Sequence, residues 1–249
     1  MESATDRPVV VGYDGRMQSR DALALTRLLA SGWNTRALAV WVTERDKPYS
    51  STERERLRER IGAGRRLKAS AAELLSGVRE WELSVQPAST AARGLHDVAS
   101  EQRAVWLVVG SSHLGPLGHV LVGSTAIHLL VDAPCPIAVA PRGWGRSAPA
   151  GLKRLGVGLD GCPDCEGALA EAQDLADRLG AGLEPLRVAD QRRAADELAE
   201  ASHDLDLLVV GCRTCAGVLG HPLHSVSRRL IRQAACPVVV VPQISQAAG

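Results

Sequence analysis

Three short blocks of this chain occur twice, in the same order. Val9-Val10-Val11-Gly12-Tyr13-Asp14-Gly15 returns as Leu155-Gly156-Val157-Gly158-Leu159-Asp160-Gly161. Trp106-Leu107-Val108-Val109-Gly110 returns as Leu207-Leu208-Val209-Val210-Gly211. Ala133-Pro134-Cys135-Pro136-Ile137 returns as Ala235-Cys236-Pro237-Val238. A repeated order of blocks is the mark of a tandem duplication and limits the fold to two copies of one plan. Each block is a run apolar on both faces, and helical patterns alternate with such runs. That combination implies an α/β fold with a parallel sheet covered on both sides.

In the first copy the pattern predicts strands at 8–13, 36–43, 81–86, 105–110 and 136–140. Helices are expected at 19–31, 52–79, 91–102 and 123–132. The second copy is shorter, with strands at 153–159, 183–188, 206–211 and 237–241 and helices at 165–180, 191–202 and 223–234. It lacks counterparts of the helix at 52–79 and the strand at 81–86. The segment 142–151, rich in Gly, Pro and Ser, reads as a linker, which gives domains at 1–143 and 151–249.

Composition narrows the class of function. There is no Phe, aromatic residues are 3% of the chain, and the formal charge is +1. Neither a basic footprint nor stacking platforms for nucleic acid are present. The mixed-sign run from Glu53 to Arg60 is a solvated helix face. No apolar run approaches the roughly 20 residues of a membrane span. The opening Met-Glu-Ser-Ala-Thr-Asp-Arg lacks the basic and apolar regions of a signal peptide. A cytoplasmic protein is expected. No P-loop, nucleophile elbow or His-Glu-x-x-His motif occurs, so a binding protein is expected rather than an enzyme.

Two Cys-x-x-Cys pairs carry the most distinctive chemistry: Cys162/Cys165 and Cys212/Cys215. Each follows a strand-like run and precedes a helix, so the fold can bring all four thiols to one end of a sheet. Four thiolates suit a tetrahedral zinc, and an iron–sulfur cluster can use the same ligands. Reversible dithiol redox chemistry is the alternative, since helix N-termini favour thiolates. Packing as small reduced hydrophobes is the third reading. In a reducing compartment, structural disulfides are the least expected use. Cys135 and Cys236, each before a proline at the start of a strand, read as buried structural thiols.

The Asp-Gly after the first strand, the glycine-bearing segment after the fourth and the Ala-Pro-Cys-Pro entry to the last strand resemble the universal stress protein family. The resemblance spans nearly the whole chain. It implies a nucleotide-binding α/β fold with strand order 3-2-1-4-5. It also implies pairing of last strands, which here joins the two halves as an intramolecular pseudo-dimer and leaves room for a homodimer. Members that bind ATP carry Gly-x2-Gly-x9-Gly-[Ser/Thr]. In the first half Gly110, Gly123 and Ser124 fit this pattern, with nine residues from Leu114 to Val122 between. His113 stands at the second glycine, with Gly115 close by, and Asp14 matches the acidic residue near adenosine. The resemblance therefore implies an adenine-nucleotide site at Asp14, Gly110, His113, Gly115, Gly123 and Ser124. In the second half Thr214 and His224 replace two of the glycines. The four cysteines lie in the half that has lost its phosphate pattern. A regulatory or stress-response role, with an unnamed signalling partner, is what the resemblance implies.

Overall fold

The computed structural model describes residues 7–44, 53–111, 124–159, 164–188, 193–211 and 226–242. Its first half runs β1 (Val9–Gly12), α1 (Met17–Trp33), β2 (Ala37–Glu44), α2 (Glu53–Leu74), β3 (Trp81–Ala88), α3 (Ala91–Glu101), β4 (Trp106–Gly110), α4 (Ser124–Val131) and β5 (Ile137–Ala140). A short helix, α5 (Trp144–Ser147), lies within the segment that reads as linker. The second half follows with β6 (Arg154–Leu159), α6 (Asp164–Leu179), β7 (Gly182–Arg187), α7 (Ala194–Ala201), β8 (Leu207–Gly211), α8 (Val226–Gln233) and β9 (Val238–Val241).

All nine described strands form one sheet in the order β3-β2-β1-β4-β5-β9-β8-β6-β7. The first half is the expected 3-2-1-4-5. The second is the same plan read outward from the seam, with no third strand among the described residues. Pairing is parallel within each half, as short helical crossovers require. It is antiparallel only at the seam, where Ile137, Ala138 and Val139 face Val240, Val239 and Val238. The shared seam makes the two halves one body.

The pleat sorts the core into two layers. Val9, Val11, Trp106, Val108, Leu155 and Val157 face α1, α2, α5 and α6. Val10, Leu107, Val109, Leu208 and Val210 face α3, α4, α7 and α8. Aliphatic side chains fill most of both layers, in keeping with the absence of Phe. One aromatic pair packs between α1 and β4. The rings of Trp33 on α1 and Trp106 on β4 meet edge to face at 5.2 Å. The Arg178 guanidinium of α6 lies 5.1 Å over Trp33. The Arg178 contact crosses from one half to the other.

Three expected boundaries shift for local reasons. α2 stops at Leu74 rather than 79, because Gly77 takes a left-handed φ of +88° that ends the helix. α1 runs on to Trp33 and ends where Asn34 adopts the left-handed conformation. The helix expected at 191–202 is described from Ala194 to Ala201 and tightens into a 3-10 turn at Ser202–Asp204.

The sheet ends at β3 and β7, and both edges are blunted. Gly182 and Val188 donate to β6, at Lys153 and Leu159. Alternation therefore turns the N–H groups of residues 183 and 187, and the nitrogen of Pro185, outward. On β3 the Glu80 carbonyl accepts from Ala37 of β2, so Pro87 likewise faces out. A proline at an outward position removes the donor a neighbouring strand would need. Among the described residues no helix is long and apolar enough to cross a membrane.

Candidate functional site at the carboxyl ends of strands one and four

β1 and β4 are neighbours whose onward connections leave on opposite faces. α1 lies in one core layer and α4 in the other. This is the switch point of the sheet, where a crevice opens beyond the strand ends. Val11 pairs with Val108. Continuing that register sets Tyr13 beside Gly110 and Asp14 beside Ser111.

The turn after β1 is built around Asp14. Its Oδ1 accepts the Ser19 hydroxyl at 2.8 Å and the Arg16 N–H at 3.0 Å. The Asp14 N–H in turn donates to Ser19 Oγ at 3.3 Å. Arg16 is the N-cap of α1, and no side chain caps the helix from that position. The Asp14 carboxylate therefore sits where free N–H groups and the helix dipole favour negative charge. The Arg16 guanidinium is 3.5 Å from Asp14 Oδ2, with both side chains largely open to solvent. Such a pair contributes at most ~1 kcal/mol. Ser19 is buried, so the hydroxyl that fixes Asp14 is itself fixed. Gly15 has φ +82°, and a Cβ there would stand 2.6 Å from Leu67 of α2. Conformation and space both require glycine at that position.

Gly110 closes β4. The direction its Cβ would take is filled by the Gln18 carbonyl in the first turn of α1. Packing alone thus accounts for a glycine here, whether or not a phosphate also approaches it. Ser111 follows, 2% exposed, and its hydroxyl has no partner among the described residues. α4 begins at Ser124, which leaves the first N–H groups of its opening turn without intrahelical acceptors. The structure thus brings Asp14 and Gly110 together at the switch point and makes Ser124 the first residue of α4. His113, Gly115 and Gly123 lie outside the described residues.

In the second half, β6 and β8 are the equivalent neighbours, with Val157 opposite Val209. Cys165 is the second residue of α6, and Cys212 directly follows the last residue of β8. Cys162, Cys212 and Cys215 lie outside the described residues, as does the side chain of Cys165. Among the described residues no cluster of three or more His, Cys, Asp or Glu side chains could hold a metal. Cys135 and Cys236 are buried free thiols. Burial pushes each up to about 12, which leaves both inert as nucleophiles at neutral pH.

Sequence reasoning missed two residues at this site. Ser19 could have been found as a hydroxyl five residues beyond Asp14, in the first turn of a helix lacking a polar N-cap. Asp21 left no such signal. It is buried and accepts the N–H groups of Gly143 and Gly145, more than a hundred residues away.

Comparison with known proteins agrees with this architecture. A family model described as "Universal stress protein family" matches residues 6–141 and 191–242. Universal stress protein Rv2319c of Mycobacterium tuberculosis is 29% identical over 186 residues, covering 72% of this chain and 62% of that protein. The chain thus spans less than two thirds of the first curated relatives it matches. Universal stress protein Rv2005c of the same organism is 27% identical, covering 94% of this chain and 97% of that protein. The crystal structure of a universal stress protein from Archaeoglobus fulgidus superposes with a TM-score of 0.69 at 15% identity, over 96% of this chain and 97% of that one. With the Asp-Gly turn, the strand order and the antiparallel seam in place, the chain belongs to the universal stress protein family, in a tandem form with a shortened second half.

Proposed function

We propose that this chain is a regulatory binding protein of the stress response that holds an adenine nucleotide in its first half and a metal ion in its second. The observation that carries the nucleotide reading is the prepared carboxylate of Asp14 at the switch point. Three groups already orient it, and one edge stays open to solvent. A carboxylate accepts about four hydrogen bonds. Capacity therefore remains for the hydroxyls of a ribose, while the start of α4 at Ser124 offers N–H groups to phosphate. Calorimetric titration with ATP and magnesium tests this. Binding is expected, weakened by Asp14→Asn and by Ser124→Ala, and no heat at millimolar ATP would overturn it.

The metal reading rests on the donor set. Adjacent strands β6 and β8 each lead into a Cys-x-x-Cys pair, and four thiolates complete a zinc tetrahedron. Cys165 is in the first turn of α6, and a helix N-terminus favours the thiolate form that ligation needs. Among the described residues the second half also has no counterpart of β3 or α2, so a metal would add cross-links where the core is smallest. Metal analysis of protein purified without added zinc is expected to give about one zinc per chain, the stoichiometry of a four-thiolate site. Clearly substoichiometric zinc and iron would reject it. In that case, loss of four titratable thiols on mild oxidation would support the redox reading instead.

A further inference from the structure

The linker between the halves is fastened to the helix that builds the first-half site. Beyond β5 the chain turns through Pro141, Arg142 and Gly143 into α5. Asp21, 5% exposed, accepts the Gly143 N–H at 2.8 Å and the Gly145 N–H at 2.9 Å. Trp144, between them, is buried in the same core layer as α1. The fit is close: a Cβ on Gly145 would stand 3.0 Å from Asp21 Oδ1 and 3.3 Å from the Ala24 Cβ. The same stretch of α1 makes two other contacts. The Gln18 carbonyl abuts Gly110, and the Ser19 hydroxyl holds Asp14. Within four residues, Gln18, Ser19 and Asp21 thus touch the end of β4, the Asp14 turn and the linker.

We propose that Asp21 is a positioning residue that makes the linker part of the first-half site. The linker lies closed on α1 while the Asp14–Arg16 turn is held, and opens when that turn is released. This coupling rests on the nucleotide reading above. A buried carboxylate with two charge-assisted hydrogen bonds cannot lose them without leaving charge and donors unpaired. The linker is therefore tied to α1, whose Ser19 holds the Asp14 turn, and α1 couples the two. The far end of α1 reaches the second half, where Gly32 packs against Leu179 of α6. Occupancy of one half can in this way bias how the other is held.

Limited trypsin digestion reads the linker directly, because Arg142 and Arg146 flank the two bonded glycines. Asp21→Asn keeps the shape of the side chain but sets an amide NH2 against one of the N–H donors. Cleavage after these arginines is expected to quicken about tenfold or more, the ratio for one lost charge-assisted hydrogen bond. The Arg16 and Arg20 amides should exchange faster with it, although neither donates to the Asp21 carboxylate: they bond Asp14 and the Arg16 carbonyl. Gly145→Ala leaves Asp21 intact, crowds the linker and should act in the same direction. Magnesium ATP should slow cleavage of the unmodified protein and have less effect on Asp21→Asn. Unchanged cleavage in both variants overturns the proposal. So does faster cleavage with unchanged exchange at Arg16 and Arg20, or cleavage that ignores ATP shown by calorimetry to be bound. If ATP does not bind, the nucleotide reading falls, and the nucleotide-free exchange comparison still decides the role of Asp21.

Discussion

Gly110→Ala separates a glycine needed by packing from one needed only by a ligand. The new Cβ would be built into the Gln18 carbonyl and would stand 2.9 Å from the Gln18 Cβ. The first obstacle is backbone, which cannot rotate aside as a leucine tip can. α1, a helix of 17 residues, must therefore lift from β4 at its first turn. Overpacking of this kind costs about 1–3 kcal/mol, and a backbone collision belongs at the upper end. Lower unfolded-state entropy returns about 0.4–1 kcal/mol. A net loss of about 2 kcal/mol in a chain of this length lowers Tm by roughly 4–8 °C. Gly167→Ala is the matched control, since a Cβ there meets nothing within 4 Å and the residue lies inside α6. It should gain up to about 1 kcal/mol from helix propensity. Thermal melts without nucleotide give the answer. If Gly110→Ala melts with the unmodified protein, α1 does not lie against β4 as described, and the packing argument fails.

Three further outcomes are expected. Glu171 on α6 has its carboxyl raised, chiefly by burial and next by Asp174, while Arg178 and Arg7 oppose the shift. The indole N–H of Trp106 also opposes it, without closing a hydrogen bond to it. An acid raised by folding loses stability as pH climbs above its unfolded value near ~4.3. Glu171→Gln should therefore melt higher than the unmodified protein at pH 7–8, with the advantage gone below pH ~4; an equal gain at both pH values would contradict this. A thiol-reactive reagent at neutral pH should leave Cys135 and Cys236 untouched in the folded, metal-free protein and label them only on unfolding, since burial holds both up to about 12; rapid labelling of either would refute their placement. Pro185→Val restores an outward N–H on β7, and sedimentation should then show concentration-dependent association beyond that of the unmodified protein. Identical sedimentation would mean that Pro185 is not what blunts this edge.

Most of the fold was legible because repetition supplied it twice. The β1 and β6 runs end in Asp-Gly, β4 and β8 end in glycine, and both last strands open on Cys-Pro. Each is a local cue to an element, while strand order and the seam came from the family resemblance that those cues carry. What the sequence hid was set by partners distant along the chain. Nothing near Gly143 shows that it donates to Asp21. Nothing near Gly32 shows that Leu179 occupies the space above it. A linker rich in glycine reads as loose when its acceptor lies 122 residues earlier.

The site was legible in part, for the same reason. Asp14 and Gly110 were marked by repeated blocks, and the register of β1 on β4 brings them to one place. But a glycine reads alike whether phosphate or a helix backbone fills its open side. At Gly110 the Gln18 carbonyl does so, so conservation of glycine in the second copy, at Gly211, is no evidence of a nucleotide there. Substitution elsewhere in the pattern carries more weight. Thr214, beside Cys215, and His224 stand where the pattern has glycine, and the first half has no thiols at the matching positions. The divergence between the copies, rather than their likeness, is therefore what separates the ligands proposed for the two halves of the sheet.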